Sequence, residues 1–480
     1  MSRSARFVLA TILLCSCAIY ARGQATPSPE LQPTIEQLDR VVSAELAKDN
    51  LGSVTIGLVS GANLVWAKSY GFADIEKKTP ATKDSVYRIG SITKQFTALM
   101  LLQLIQDGKV HFSDPVEKYF PEVNKVQGRF PGAPPITLIQ LATHTAGLDR
   151  EPDDLPTYLK GAVSEWEKVL ISALPHTKYA YEPGTRYSYS NIGYAILGAA
   201  LSRAAGQPYV EYVQQRIFKP LGMDNTAFEP NDRIKPRISR GYVSEKGKVD
   251  NETPEREHQG RGYKVPNGAI YTTVEDLARF VAFEMGEGPA PVLKKESLDD
   301  NFKRVITTNA GLVSGYGVGF EVIRHGDVIA YGHSGAVAGY QAAAYFNRSA
   351  HTGVIILRNV TGGPFNGSKL LIEALGNASA KAKPVMPEQA VIKVDPRVYD
   401  DYVGEYEVAM LGVITITREG DRLFGQPTGE SKEELIPKSG GQFSVPSIGA
   451  EAVFVRDEKG KVTHMIIRHG GQEMQGKKIK

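Results

Sequence analysis

The sequence contains one Ser-x-x-Lys motif, formed by Ser91 and Lys94 at the start of a strongly apolar segment. Residues three apart share one face of a helix, so both side chains can reach each other. A lysine in an apolar pocket can lose or relay a proton, and a serine at the positive end of a helix dipole favours a developing alkoxide. The motif therefore predicts a nucleophile and its activator, although an exposed pair at a helix start is the commoner explanation of the motif alone.

A second candidate set lies 98 positions later, in a tyrosine-rich turn ahead of an apolar helix. A phenol near a lysine can share its proton, so Tyr189 can act as base toward Ser91 and as acid toward a leaving group. The carboxamide of Asn191 can donate and accept hydrogen bonds to a substrate amide. The alternative is a tyrosine-rich turn that only caps a helix.

The third candidate set is His333, Ser334, Gly335 and Ala336, between two strand-like segments. Gly335 keeps the backbone clear of side chains, and such a strand edge can align a substrate by β-type pairing. His333 would then face the pocket with an ordinary pKa near ~6.5, although a lone histidine in a strand is more often structural.

These groups need a buried helix and a sheet to position them. Apolar residues from Ile92 to Ile105 occupy every side of a helical wheel, and Gly108 provides a stop, so this helix belongs in the core. Segments 54–59 and 63–72 predict a hairpin, and four strands between 318 and 357 predict an antiparallel meander. Helical patterns at 31–50 and after Pro364 flank these strands.

The fold class that follows is α/β, of the α+β type: one antiparallel sheet flanked by terminal helices, with an all-helical insertion domain between its halves. Residues 110–262 show helical and loop-rich patterns without a strand pattern. We predict a main domain over 30–380, a proline-punctuated linker over 384–396, and a small all-β, barrel-like domain over 397–480, where short alternating strands follow one another at about ten-residue spacing.

Residues 1–23 have the pattern of a secretory signal peptide: Arg3 and Arg6, an apolar run, and small residues near Gly23. We therefore expect a secreted or periplasmic protein, with a lipid anchor at Cys17 as a minor alternative. Both cysteines, Cys15 and Cys17, lie in this segment, so a mature chain would have no disulfide, thiol nucleophile or cysteine-based metal site.

Composition and charge indicate an ordinary globular protein. Three of the 56 Lys and Arg residues lie in the signal segment, which leaves 53 against 53 Asp and Glu. We therefore expect no nucleic-acid partner, and no segment after the signal is apolar enough to predict a membrane span. The sequence gives no indication of the oligomeric state.

Taken together, the three motifs resemble those of the serine penicillin-recognising hydrolases, which include class C β-lactamases, D,D-peptidases, D-aminopeptidases and related esterases. The resemblance covers about residues 30 to 380 and includes 141–148, where His144 matches a structural position. It implies that Ser91 is acylated, Lys94 activates it and Tyr189 shuttles the proton, with either Lys94 or Tyr189 as the base. It also implies that Asn191 orients the substrate and that the N–H groups of Ser91 and Ala336 form an oxyanion hole.

The resemblance implies no cofactor and no metal. Residues 333–335 read His-Ser-Gly, where β-lactamases of this kind carry Lys-Thr-Gly, which favours small amides, esters or D-amino-acid peptides over β-lactams. The C-terminal region resembles the lipocalin-like β-domain of some of these hydrolases. A β-lactamase and a catalytically silent binding or sensor protein remain the alternative functions.

Overall fold

The computed structural model describes residues 29–245, 248–258, 260–288, 292–307, 314–325, 328–362, 375, 396–408, 412–428, 432–439, 441–445, 450–457, 460–469 and 472–480. The predicted signal peptide, the helix predicted after Pro364 apart from Leu375, and nearly all of the predicted linker lie outside these residues. No helix among the residues that the structure describes is long and apolar enough to cross a membrane.

Most strands of the main domain belong to one antiparallel sheet. In chain order the strands are β1 Ser53–Ser60, β2 Asn63–Asp74, β3 Thr79–Pro80, β4 Tyr87–Arg88, β5 Tyr242–Glu245, β6 Lys248–Asp250, β7 Tyr271–Thr272, β8 Ile306–Thr307, β9 Ser314–Tyr316, β10 Glu321–His325, β11 Val328–Val337, β12 Tyr340–Asn347, β13 Thr352–Arg358 and β14 Val360–Gly362. The large sheet has the order β3-β2-β1-β13-β12-β11-β10-β9-β8 within the described residues. The early hairpin and the late meander therefore form one sheet, as predicted.

The helices of the main domain either pack on this sheet or belong to the insertion. They are α1 Gln32–Leu46, α2 Thr93–Gln106, α3 Leu138–Ala142, α4 Trp166–Ala173, α5 Asn191–Ala205, α6 Tyr209–Val213, α7 Lys219–Leu221, α8 Glu252–Glu257, α9 Val265–Gly268, α10 Val274–Glu284 and α11 Lys295–Asn301. Ile35 and Leu38 of α1 pack on one face of the sheet with Val54 and Ile56 of β1. Leu375 is buried in the same cluster.

Helix α2 lies at the centre of the main core. Nearly all of its residues are buried, including Phe96, whose ring stacks on Phe280 of α10 at 4.0 Å. A 3₁₀ turn, Gly90–Ile92, precedes α2, and Gly108 with φ 70° follows it. The all-round apolar pattern thus correctly predicted a core helix, with Ser91 on the turn at its entrance.

The insertion is helical and loop-rich but not all-helical. Strands β5 and β6 form a hairpin, and β5 also pairs in parallel with β14 from the end of the sheet. The expectation of no strand between 110 and 262 is therefore wrong here. The two strands are short and polar, so their sequences lack a clear alternating pattern, and their pairing depends on β14, more than a hundred residues later.

The C-terminal domain is a closed antiparallel barrel. Its strands are β15 Gly404–Val408, β16 Gly412–Glu419, β17 Arg422–Pro427, β18 Glu433–Ser439, β19 Gln442–Val445, β20 Ala450–Arg456, β21 Val462–His469 and β22 Gln472–Lys478. Its core has its own buried set, including Tyr406, Ile416, Leu435 and Met465. The barrel confirms the predicted all-β domain, and β15, β18 and β22 are strands that the sequence did not indicate.

Candidate active site

Ser91 and Lys94 lie in contact at the entrance of α2. Lys94 Nζ is 3.1 Å from Ser91 Oγ, 2.7 Å from Asn191 Oδ1 and 3.3 Å from the carbonyl oxygen of Asn267. The Lys94 side chain is fully buried, and burial lowers its pKa well below the usual value, with Lys264 acting in the same direction. A buried lysine without a carboxylate in direct contact favours the neutral amine, which is the form that can accept a proton.

Tyr189 lies beside this pair. Its ring lies 4.8 Å from Lys94 Nζ and 4.1 Å from the imidazole of His144. Burial raises the pKa of Tyr189 far above that of an ordinary tyrosine, while the neighbouring side chain of Ser91 opposes the shift. Tyr189 is therefore a neutral phenol that can donate a proton, and the phenolate is disfavoured.

His144 supports the tyrosine turn. It adopts a left-handed backbone conformation with φ 58°, and its Nδ1 accepts the backbone N–H of Ser190 at 3.0 Å. Burial lowers the pKa of His144 well below the usual value, so the ring is neutral. These contacts fit the structural position expected for His144.

Asn191 begins helix α5, and its carboxamide is occupied on both sides. Ser190 caps the helix by accepting the N–H of Gly193 at 2.9 Å, which fixes the start of α5 next to Lys94. Asn191 Oδ1 contacts Lys94, while Asn191 Nδ2 donates to Glu151 Oε1 at 2.7 Å. The structure thus brings Asn191 to the nucleophile, but it directs the amide group toward protein partners rather than toward open space.

The edge of β11 lies against the turn that carries Ser91. Strand β10 pairs with β11 only as far as Gly332, so residues 333–337 have β12 on one side and the Ser91 turn on the other. A Cβ on Gly90 would lie 2.7 Å from Ala336 N, and Gly90 has φ 50°, which favours glycine. This close approach places the backbone of Ala336 directly beside the turn that carries Ser91.

His333 belongs to the wall of the cavity beside Ser91, but its side chain is almost entirely buried there. Its side chain is 1% exposed, its Nε2 lies 3.0 Å from Tyr316 OH, and its Nδ1 contacts the carbonyl oxygen of Ser334. Burial lowers the pKa of His333, although Glu321 opposes the shift from 3.7 Å. The expectation of an ordinary pKa near 6.5 is therefore wrong, because burial removes water from the imidazole and disfavours its charged form.

Three charged residues of the cavity wall were not predicted from the sequence: Arg150, Glu321 and the fully buried Arg358. A cavity of about 510 Å³ contains Ser91, Tyr189 and Ala336 in its lining, together with Arg150 and Glu321. Arg150 is exposed and stacks its guanidinium over the Tyr189 ring at 4.7 Å. Glu321 accepts from Ser334 Oγ at 3.3 Å and from Tyr345 OH. In the sequence, Arg150 is marked only by its position next to segment 141–148, and Glu321 only by being an acidic residue inside an apolar strand.

The fold and this site define a protein of the β-lactamase-like class, in which an antiparallel sheet and a helical region meet at a Ser-x-x-Lys turn. Residues 38–376 match the family model described as Beta-lactamase. The chain therefore belongs to the beta-lactamase family, whose members are generally serine hydrolases. Residues 388–479, which include the barrel, match a Domain of unknown function named DUF3471.

Among curated proteins, Beta-lactamase-like protein 2 from Dictyostelium discoideum is 28% identical over 337 residues, which are 68% of this chain and 59% of that protein. Protein flp from Staphylococcus aureus (strain MRSA252) is 25% identical over 329 residues, which are 68% of this chain and 63% of that protein. The chain thus spans less than two thirds of the length of these curated relatives.

Two solved structures share the fold. The octameric penicillin-binding protein homologue from Pyrococcus abyssi has a TM-score of 0.58 at 22% identity and covers 92% of this chain and 100% of its own. A class C beta-lactamase has a TM-score of 0.60 at 19% identity and covers 73% of this chain and 98% of its own. At these identities the likeness concerns the fold alone.

Proposed function

We propose that this protein is a secreted serine hydrolase that cleaves small amides or esters through an acyl-enzyme on Ser91. The observation that carries the proposal is the contact of Lys94 Nζ with Ser91 Oγ at 3.1 Å, in a buried setting that lowers the pKa of Lys94. Secretion rests only on the signal-like pattern of residues 1–23, and the lipid anchor at Cys17 is its alternative.

In the acylation step, neutral Lys94 accepts the hydroxyl proton of Ser91 as Oγ attacks the substrate carbonyl carbon. The developing oxyanion accepts hydrogen bonds from the backbone N–H groups of Ser91 and Ala336, and one such donor is worth about 3 to 4 kcal/mol of barrier. Tyr189, held as a phenol, donates its proton to the leaving amine or alkoxide and recovers a proton from Lys94. The carbonyl–leaving-group bond breaks, and an acyl ester on Ser91 remains.

Deacylation uses the same groups in reverse order. A water molecule attacks the acyl ester and passes its proton to the Tyr189–Lys94 pair. Ser91 Oγ then leaves and regains a proton, which restores the starting enzyme. Because the burial that keeps Tyr189 protonated also keeps Lys94 neutral, the division of roles favours Lys94 as base and Tyr189 as proton donor.

The cavity supports small amides or esters, including D-amino-acid amides, as substrates rather than β-lactams. His333 takes the place of the lysine that faces the pocket in β-lactamases of this kind, and it is both buried and neutral. Arg150 is the exposed cation in the lining, because the second arginine there, Arg358, is fully buried. We therefore expect a substrate carboxylate to be recognised through Arg150.

The experiment is active-site labelling with a fluorescent fluorophosphonate, followed by intact mass and peptide mapping. We expect one adduct, on Ser91, and no adduct on Ser91→Ala. Ser172→Ala is the matched control. The Ser172 hydroxyl lies on the surface of α4, and within the described residues it donates one hydrogen bond, to the Val169 carbonyl at 2.7 Å. A folded wild-type protein that takes no label would support the alternative of a catalytically silent binding or sensor protein. Efficient nitrocefin hydrolysis at pH 7.5 would instead identify a β-lactamase.

A further inference from the structure

A chain of polar contacts continues from the nucleophile to the side of Asn191 that faces away from Lys94. Glu151 Oε1 accepts from Asn191 Nδ2 at 2.7 Å and from Lys264 Nζ at 2.7 Å. Glu151 Oε2 accepts from the hydroxyl of Tyr263. The side chains of Glu151 and Lys264 are 20% and 13% exposed, so this ion pair is largely shielded from water.

The carboxylate of Glu151 determines the orientation of the Asn191 carboxamide, that is, whether Oδ1 or Nδ2 faces Lys94. Burial acts to raise the pKa of Glu151, but Lys264 and three donated hydrogen bonds outweigh it and hold the pKa below its usual value. An ionised carboxylate only accepts hydrogen bonds, so the NH₂ group of Asn191 must face Glu151. The oxygen Oδ1 then faces Lys94.

This orientation determines where the lone pair of Lys94 points. A neutral amine has two N–H donors and one lone pair, and the oxygens of Asn191 and Asn267 lie 2.7 and 3.3 Å from Nζ. With both N–H donors directed to these oxygens, the lone pair is left for the third neighbour, the hydroxyl of Ser91. An inverted amide would instead present its NH₂ group and compete for that lone pair.

We propose that Glu151 and Lys264 are positioning residues of the acylation step, which orient the carboxamide of Asn191 so that the lone pair of Lys94 faces the Ser91 hydroxyl. This inference rests on the proposed function, because it assigns a role in the activation of Ser91. Neither residue belongs to the cavity lining, and among the described residues neither forms a hydrogen bond with Ser91, so they act through Asn191 and through their charges.

The charges of Glu151 and Lys264 should change the pKa of Lys94, which an ion pair with only a structural role would not do. Lys264 lowers the pKa of Lys94, second only to burial, and Glu151 opposes it. The other charged or titratable groups around Lys94 belong to the insertion, the sheet and the aromatic wall: Arg150, Glu321, His144, His333, Tyr189 and Tyr194. Neutralising one member of the ion pair leaves the other unopposed, so the two single changes act on Lys94 in opposite directions.

The test measures the second-order rate of fluorophosphonate labelling between pH 5 and 9, which needs no identified substrate. We expect Lys264→Met to move the acid limb of the profile to higher pH and Glu151→Gln to move it to lower pH. The double variant should return close to the wild-type limb. On the limb a shift of half to one pH unit changes the rate by about threefold to tenfold. Glu151→Gln should also lower the plateau, because a glutamine can hold Asn191 either way round.

Asp153→Asn and Lys178→Met are the matched controls. This exposed ion pair, 2.7 Å long, lies two residues from Glu151 in the chain and is absent from the groups that affect Lys94. Thermal melts check that each variant is folded. If Glu151→Gln proves too unstable to measure, Lys264→Arg replaces it as the second variant, and because it retains the charge it should keep the wild-type pH profile. The inference would be overturned if Lys264→Met and Glu151→Gln moved the acid limb in the same direction, or if neither moved it further than the control variants do. A failure of the proposed function looks different, since wild-type Ser91 would then take no label at any pH.

Discussion

Gly335 of β11 packs so closely against Ile89 that a Cβ on the glycine would lie 2.0 Å from the Ile89 carbonyl oxygen and 2.9 Å from Ser91 N. Real side chains do not tolerate such an approach to backbone atoms, so the strand and the turn can meet only through glycine. The contact therefore holds the two backbone segments that would supply the oxyanion hole.

Gly335→Ala should reduce acylation by at least about a hundredfold, the cost of losing one oxyanion-hole donor. The methyl group forces β11 away from Ser91 while the rest of the sheet keeps its pairing. Labelling rates together with far-UV circular dichroism measure this. Gly268→Ala is the control, since a Cβ there meets nothing closer than 3.7 Å. A folded Gly335→Ala protein with near-wild-type labelling would show that the N–H groups of Ser91 and Ala336 do not act together.

Lys94→Ala should be nearly as damaging as Ser91→Ala, because groups that act as a unit do not contribute additively. In the wild-type protein the lowered pKa of Lys94 favours the neutral amine, so activity should fall as the pH drops and Lys94 becomes protonated. Labelling or ester hydrolysis from pH 5 to 9 tests both points. If Lys94→Ala kept more than a tenth of the wild-type kcat, less than about 1.4 kcal/mol of barrier would depend on Lys94, and the activation scheme would be wrong.

Arg150→Ala should change how the enzyme responds to substrate charge. Since Arg150 is the exposed cation of the cavity lining, its loss should raise KM for esters with a carboxylate by about tenfold and leave neutral esters such as p-nitrophenyl butyrate within about twofold. Arg186→Ala removes the same charge from a residue that stacks on Tyr181 at 4.3 Å and serves as the control. Equal effects on charged and neutral esters would mean that Arg150 only supports Tyr189.

The sequence was informative where chemistry depends on short spacing. Ser91 and Lys94 are three residues apart at a helix start, so their contact follows from helix geometry. The burial of α2 was predictable as well, because apolar residues on every side of a helix indicate a core position. The helix that begins at Asn191 was predictable from its apolar pattern and the turn that precedes it. The strand edge that carries Ala336 was predictable from the strand pattern and Gly335.

The electrostatics of the site depend on contacts that no local pattern encodes. Glu151 and Lys264 are 113 positions apart and meet only after the insertion folds. His333 resembles an ordinary strand histidine in the sequence, and its lowered pKa results from burial beside Tyr316. Sequence reasoning therefore predicted the groups that we propose to react, but it missed the charged residues around them.

Glu284, at the end of α10, should make the stability of the protein depend on pH. It is 5% exposed, and burial raises its pKa to about 8, with Arg348 opposing the shift. The folded state therefore holds a proton that the unfolded state releases above pH ~4.5. The stability from this group is fully present below that pH and is lost as the pH rises through about 8.

Glu284→Gln should remove this dependence. Between pH 6 and 8 the wild-type free energy of unfolding should fall by roughly 2 kcal/mol more than that of the variant. Urea unfolding at both pH values measures the difference. Glu275→Gln, on the exposed face of the same helix and paired with Arg279, is the control. Parallel pH dependence in Glu284→Gln and wild type would show that the buried carboxyl group titrates normally.

The last prediction concerns the barrel. Every proposed catalytic group precedes residue 384, and the barrel has its own buried core, so a chain that ends at Lys383 should fold and still be labelled on Ser91. Arg324 of β10 forms an ion pair with Glu433 of β18, and its side chain is only 13% exposed. Truncation would leave this arginine facing water, where it is readily solvated, so we expect a labelling rate within about threefold of the full-length protein. A truncated protein that is folded by circular dichroism but takes no label would show that the barrel, acting through β10 and Glu321, completes the substrate cavity.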